Sequence, residues 1–245
     1  MAGKTVPETT DLSKQYDTPL GLAHTTMQAL KDRIKLHYDL ASDYYLSLWG
    51  EHIHHGYWPT EESKEKESKE TAQINLIRLL LEKSQIPEGS AVLDVGCGIG
   101  GTARYLASHM GCTVTGITIS TKQVEIAERL TRAQAVTQTT SGEAPDQGCE
   151  KDADGFLRFG RGKVKFLELD AERMGEFFTA SEGPVVTFDA VWISEALSHF
   201  PNKALFFHNT HKVLRPGGRL VLADWFKAEG LGDEQFESDI QPIEG

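Results

Sequence analysis

The sequence predicts an α/β fold with a mostly parallel sheet, helices on both faces, and a helical cap ahead of it. Three observations carry this expectation. A short apolar segment, Ala91–Val95, runs straight into a glycine-rich turn, Gly96-Cys97-Gly98-Ile99-Gly100-Gly101, and then into a helical pattern. Strand-like and helix-like segments alternate from there to Ala223, which implies parallel strands with crossover helices. An aromatic, helix-periodic segment precedes them. The arrangement is Rossmann-like.

Residues 1–20 are polar and contain two prolines, the composition of a loose arm. From Met27 to Trp49, apolar and aromatic residues recur at helical spacing, so one or two helices are expected. An aromatic loop follows, Trp49-Gly50-Glu51-His52-Ile53-His54-His55-Gly56-Tyr57-Trp58-Pro59. The Glu/Lys/Ser run at 61–70 reads as the solvated start of a helix that continues through Ile74, Ile77, Leu80 and Leu81 and stops before Pro87. Strands are expected at Ala91–Val95, Thr113–Ile119, Val164–Leu169, Phe188–Ile193 and Arg219–Ala223. Helices are expected over Thr102–Met110, from Thr121 to about Ala135, and over Lys203–Leu214. Residues of about 137–162 are rich in Gly, Thr, Asp and Glu and read as a mobile surface insertion. The division is then an arm and cap over 1–60 and a ligand-binding core over 61–245.

Composition narrows the function. The formal net charge is -11 and no basic stretch occurs, which argues against a nucleic-acid partner and against an anionic membrane surface. No apolar run is long enough to span a bilayer. Three cysteines, Cys97, Cys112 and Cys149, show no paired spacing, and the N-terminus has no apolar signal core. A cytoplasmic protein is the expectation.

The glycine turn lets a ligand approach the backbone at a helix N-terminus. Gly96, Gly98 and Gly101 also satisfy the dinucleotide pattern, which alone is weak. Asp94, two residues before the first glycine, separates the readings. A pyrophosphate there would face an uncompensated carboxylate, whereas an ammonium or sulfonium would be matched. A dinucleotide fold also wants an acid about 20 residues on for the ribose. The second strand ends instead in Ile117-Thr118-Ile119-Ser120.

The segments D-V-G-C-G-x-G-G and G-x-T-x-S-x-x-Q resemble class I S-adenosylmethionine-dependent methyltransferases, especially the branch of gamma-tocopherol methyltransferases, sterol methyltransferases and cyclopropane fatty acid synthases. The segment His37–Tyr45 and the aromatic loop are similar to the cap of the gamma-tocopherol enzymes. The resemblance covers about residues 30–245 outside the insertion. It implies S-adenosylmethionine as cofactor, held by Asp94, Gly96, Gly98 and Gly100, with Thr118 and Gln123 at the ribose, Asp170 and Ala171 at the adenine, Ile193 at the end of the fourth strand, and Tyr38, Gly56 and Tyr57 closing over the methionine end. Plain structural roles compete: Ser120-x-x-Gln123 is also a capping box, and Asp170 an ordinary strand-end Asp.

Active sites of open α/β sheets lie at the strands' carboxyl ends. Glu195 and His199, just past the fourth strand, are therefore the candidates for a general base or electrostatic partner; a structural histidine is the competing reading of His199. Cyclopropane synthases carry a Glu immediately before this His. Ser198 stands here, which favours plain methylation of a small, fairly apolar acceptor. His52, His54 and His55 lack ligand spacing, so no metal is expected. Methyltransferases of this class add a helix and an antiparallel hairpin after the fifth strand. Here the hairpin is expected to be missing, with an exposed sheet edge and a possible homodimer as consequences.

Overall fold

The computed structural model describes residues 27–138, 150–180, 185–226, 229–230 and 232. Helix α1 (Met27–Trp49) is a single 23-residue helix. Helices α2 (Glu61–Lys66) and α3 (Lys69–Ser84) follow. Where one helix was expected there are two, because Ser68 is extended and its hydroxyl accepts from Thr71 N, starting a new helix. The core then runs β1 (Ala91–Val95), α4 (Gly101–Met110), β2 (Thr113–Thr118), α5 (Thr121–Gln138), β3 (Leu157–Phe159), β4 (Gly162–Glu168), a 3-10 turn at Ala171–Arg173, α6 (Met174–Thr179), β5 (Phe188–Ser194), a second such turn at Leu197–His199, α7 (Lys203–Val213) and β6 (Leu214–Ala223).

The six strands are ordered β3-β4-β2-β1-β5-β6. All neighbours are parallel except β3, which pairs antiparallel with β4. The stretch expected to be a structureless insertion thus supplies an edge strand: Leu157 and Phe159 are buried, and Phe159 pairs with Gly162 across a tight turn at Gly160 and Arg161. Residues 139–149 lie outside the described residues. Strand β6 starts five residues earlier than expected. A register shift opposite Phe188 to Ala190 absorbs Arg215–Gly218, with Gly217 in the left-handed region.

Alternation along β1 splits the core into two layers. Val92 packs on one face with Leu106, Val114 and Trp192; Leu93 and Val95 pack on the other with Ile117, Met174, Ile193 and Phe206. Asp94 pairs in register with Gly116 of β2 and Trp192 of β5. Chain connections leave β1 toward β2 on one side and return beside it as β5 on the other. That is the switch point where a crevice opens beyond the strand ends.

Helix α1 lies across this crevice on a polar stripe. Lys31 pairs with Asp170 and Glu172 (2.7 and 2.6 Å), and Lys35 with Glu168 (2.7 Å). Asp39 accepts from Ser120 Oγ and Lys122 N, and Asp43 pairs with Lys122. These residues recur every four positions, one face of the helix. Leu36, Leu40, Tyr44 and Leu48 are correspondingly exposed. Among the described residues, no helix is long and apolar enough to cross a membrane. The expectations about the arm and the chain's end fall on residues 1–26 and 227–245, almost all outside the described residues.

Candidate active site

The turn after β1 is built by its glycines, each for its own reason. Gly96, Gly98 and Gly100 all have positive φ (70, 53 and 80°). A Cβ on Gly96 would lie 2.5 Å from Ala196 Cβ, so the turn and the end of β5 touch only through a glycine. Gly96 N and Cys97 N both donate to Ile117 O, tying the turn to β2. Gly100 precedes the first residue of α4, and a Cβ there would strike the Phe166 ring at 2.6 Å. It therefore faces the sheet layer and does not line the cleft.

A cleft of about 770 Å³ opens over Gly96 and Gly98, lined also by Tyr38, Thr118, Gln123, Asp170, Ala171, Glu195 and His199. Its largely apolar wall suits a small ligand. A second cavity of about 330 Å³ sits beneath the aromatic loop and contains Asp94. The two share Ile53, Gly96, Gly98 and Ser194. Asp94 is buried, and Oδ2 has no hydrogen-bond partner among the described residues. Burial pushes its carboxyl up to about 7.

At the end of β2 the Thr118 hydroxyl donates to Gln123 Oε1 (2.5 Å) and accepts from Ser120 N. Ser120 Oγ accepts from Gln123 N, so half of the expected capping box is present. Its other half is replaced by the Thr118 contact, which turns the Gln123 side chain toward the cleft. Asp170 caps the turn at Ala171 by accepting from Glu172 N, and its other oxygen takes Lys31 Nζ.

The opposite wall carries the reactive side chains. Glu195 is held at φ 53°, a left-handed conformation unusual for a non-glycine residue, by the bond from its N–H to Ala223 O. Its carboxylate accepts from His55 N (3.0 Å) and meets His55 Nδ1 (2.7 Å). The His199 ring meets the Tyr38 hydroxyl through Nε2 at 2.8 Å. Burial lowers the His199 pKa, against the pull of Asp224. Burial raises that of Tyr38 to about 12. Asp224 accepts from Leu197 N and so orders the turn that bears His199.

Three sequence candidates lie elsewhere. Gly56 packs against α3, where a Cβ would come within 2.5 Å of Ala72 Cβ, and Tyr57 N donates to Ala72 O. Tyr57 is partly exposed, and Ile193 is fully buried in the second core layer. Sequence reasoning also missed residues. Lys31 and Ile34 line the cleft two turns and one turn before Tyr38, at the spacing of its own helix face. Ser194 closes β5, and Ile53 comes from the aromatic loop. That loop is gripped by the buried Gln73, whose Nε2 donates to His52 O (2.5 Å) and His54 O (2.9 Å). No local signal marks Gln73.

A ligand crevice at the switch point of a parallel sheet, floored by a glycine turn and an unpaired carboxylate, defines a Rossmann-like small-molecule-binding domain. Comparison with known proteins narrows this. A family model described as "Methyltransferase domain" matches residues 93–222, and one described as "Mycolic acid cyclopropane synthetase" matches residues 24–143. Tocopherol O-methyltransferase, chloroplastic, of Arabidopsis thaliana is 30% identical over 211 residues, covering 83% of this chain and 52% of that protein. The 2-methyl-6-phytyl-1,4-hydroquinone methyltransferase of a Synechocystis strain is 36% identical over 182 residues, covering 72% and 45%. Among solved structures the cyclase SpnF superposes with a TM-score of 0.58 at 28% identity, over 78% of this chain and 58% of that one. The chain spans about half the length of these curated relatives. It belongs to the methyltransferase-domain family, in the class I branch that holds the tocopherol and sterol enzymes and the cyclopropane synthases.

The cofactor of this branch is S-adenosylmethionine. The residues present fit it. The unpaired Asp94 oxygen suits a cationic group, and at Gly96 and Gly98 the cleft reaches the bare backbone of the turn.

Proposed function

We propose that this chain transfers a methyl group from S-adenosylmethionine to carbon, nitrogen or oxygen of a small, fairly apolar acceptor. The observation that carries the reading is the 770 Å³ cleft, which brings the glycine turn, Thr118 and Gln123 together on one side and Glu195 and His199 on the other. Bound S-adenosylmethionine supplies an electrophilic methyl on a sulfonium. Asp94, Gly96, Gly98, Thr118, Gln123, Asp170 and Ala171 hold the cofactor. Gly100 shapes the turn from outside the cleft, and Gly56, Tyr57 and Ile193 act by packing. Tyr38, Ile34 and Phe200 wall off water and orient the acceptor, which lowers the barrier by alignment. A hydroxyl or amine acceptor must lose a proton. His199, kept neutral by burial, accepts it, with the Tyr38 hydroxyl fixing its ring. Glu195 supplies negative charge at the same wall.

The acceptors named for the two relatives, a tocopherol and a phytyl hydroquinone, support an apolar, oxygen-bearing substrate such as a prenylquinone, sterol or other secondary metabolite. The likeness to the cyclase SpnF supports a second reading, binding of S-adenosylmethionine without transfer. Labelled S-adenosylmethionine incubated with prenylquinones, sterols, indole alkaloids and phenols separates the two. Label in an acceptor is the expected result. Cofactor binding with no labelled product, and an isomerised acceptor, would establish the second reading. The unpaired cysteine spacing supports a reducing, cytoplasmic compartment, and the acidic charge supports a protein without a nucleic-acid partner. Light scattering tests the homodimer.

A further inference from the structure

Helix α1 is turned inside out relative to an ordinary surface helix. A helix on a soluble core buries its apolar side and shows its charges to water. Here the charged ridge that begins at Lys31 is turned to the core, where Lys31 pairs with Asp170 and Glu172 and Asp39 accepts from Ser120 Oγ. The apolar ridge Leu36, Leu40, Tyr44 and Leu48 faces solvent, each residue between 43 and 63% exposed. At about 100° per residue, the five-position offset from Lys31 to Leu36 sets the two ridges roughly 140° apart. Seating the charged ridge on the core therefore turns the apolar one outward.

Size and charge say what suits this ridge. From Leu36 to Leu48 it is about 18 Å long. Four half-exposed side chains offer on the order of a few hundred Å², short of the roughly 800 Å² per partner that a stable pair of proteins buries. A lipid layer sets no such threshold, because an apolar ridge sinks into it at any length. The usual interfacial helix has a cationic opposite face that draws anionic lipid. In α1 Lys31 and Lys35 are instead paired into the core, and the chain carries a net charge of -11. The matching surface is therefore zwitterionic. Tyr44 adds an amphipathic ring of the kind that settles at headgroup level.

We propose that the outer ridge of α1 is a lipid-docking surface: Leu36, Leu40, Tyr44 and Leu48 enter the interface of a zwitterionic phospholipid layer, with α1 lying parallel to it. The inner side of the same helix lines the cleft through Ile34 and Tyr38. A layer against the outer ridge is then one helix diameter, about 10–12 Å, from the cleft. Docking there would let an apolar acceptor pass from the layer to the cleft without crossing bulk water. That purpose rests on the function proposed above, whereas the docking itself does not.

Flotation of the whole chain with phosphatidylcholine vesicles tests this. The wild type should float with the vesicles, and equally so at low and high salt, since no ion pair is involved. Leu40→Glu with Tyr44→Glu, at exposed positions outside the cleft, should lower the partition coefficient at least about tenfold, and Tyr44→Gln alone about threefold. Both variants should bind S-adenosylhomocysteine as the wild type does, which reports an intact cap. If the double variant does not fold, the single one decides. A wild type that stays unbound, or variants that float as well as it does, would overturn the proposal. Binding confined to phosphatidylserine vesicles and lost in salt would overturn it too, by placing the contact on charged groups elsewhere. So would a wild-type dimer in sedimentation that the double variant converts to monomer, since the ridge would then join two copies of the chain. A wild type that floats but binds no S-adenosylhomocysteine would sink the cofactor reading and leave the docking surface standing.

Discussion

His55 and Glu195, 140 residues apart, are joined by a two-point contact: the Glu195 carboxylate takes the His55 backbone N–H with one oxygen and the imidazole Nδ1 with the other. The contact ties the cap to the end of β5. It gives Glu195 two tasks, anchoring the loop and placing charge in the cleft, and they can be separated. Glu195→Gln keeps an acceptor for the backbone bond and removes the charge. Turnover should fall tenfold or more, with cofactor affinity within a few-fold. His55→Ala should instead loosen the loop and raise both Michaelis constants. Equal kinetics for Glu195→Gln and wild type would make Glu195 an anchor only.

Asp94 gives a pH dependence of unusual sign. Its folded pKa is near 7, above the 3.8 of an unfolded aspartate. The native state therefore holds a proton between those values that the unfolded state has released. Stability from this site is full below about pH 4 and is lost as pH rises toward 7. Asp94→Asn should flatten that part of the stability profile. A cationic ligand needs the ionised form, so cofactor affinity should rise with pH up to about 7 and become flat and weaker, by about 1.5–3 kcal/mol, in the variant. A wild-type affinity independent of pH from 5 to 8 would take Asp94 out of the binding site.

Gln73→Leu should destabilise the cap. It leaves the carbonyls of His52 and His54 without their donor in a buried setting, at a cost of about 1–3 kcal/mol. In a domain of this size the melting temperature should fall by roughly 2–4 °C per kcal/mol. An unchanged melting curve would show that water replaces the amide at no cost.

Lys31 sits between Asp170 and Glu172 with its side chain 15% exposed. Lys31→Met should leave two neighbouring carboxylates without their shared cation and loosen α1. The cap should become more sensitive to protease in the absence of ligand, and catalysis should respond to salt more weakly than in the wild type, where screening weakens the same contacts. Identical protease sensitivity would show that Asp39 and Asp43 suffice to hold the helix.

What was legible in the sequence is what is local. The strand, turn and helix from Ala91 to Met110 follow from an apolar run, glycines and helical periodicity within 20 residues, and Asp94 stands out there by its charge. Thr118 and Gln123 were singled out by the family pattern G-x-T-x-S-x-x-Q, and one turn of backbone brings their side chains together. Pairs joined across the fold were not. Lys31 reaches Asp170 over 139 positions, and nothing around Gln73 distinguishes it from any helical glutamine. Gly56 and Tyr57 entered through the family resemblance, and in the fold the loop that carries them packs on α3 because Ala72 is small. Strand β3 was hidden because only Leu157 and Phe159 of its three residues face the core, inside a polar stretch.

The left-handed backbone at Glu195 sets function against robustness. Such a conformation costs a non-glycine residue about 1–3 kcal/mol. Glycine or asparagine would relax it, and the gain would outweigh the lost bonds to the half-exposed His55. Selection for heat tolerance alone would then drift toward those residues and discard the carboxylate. A library of this chain screened by melting temperature should enrich variants at position 195 that have lost turnover, while a screen on product formation should hold that position fixed.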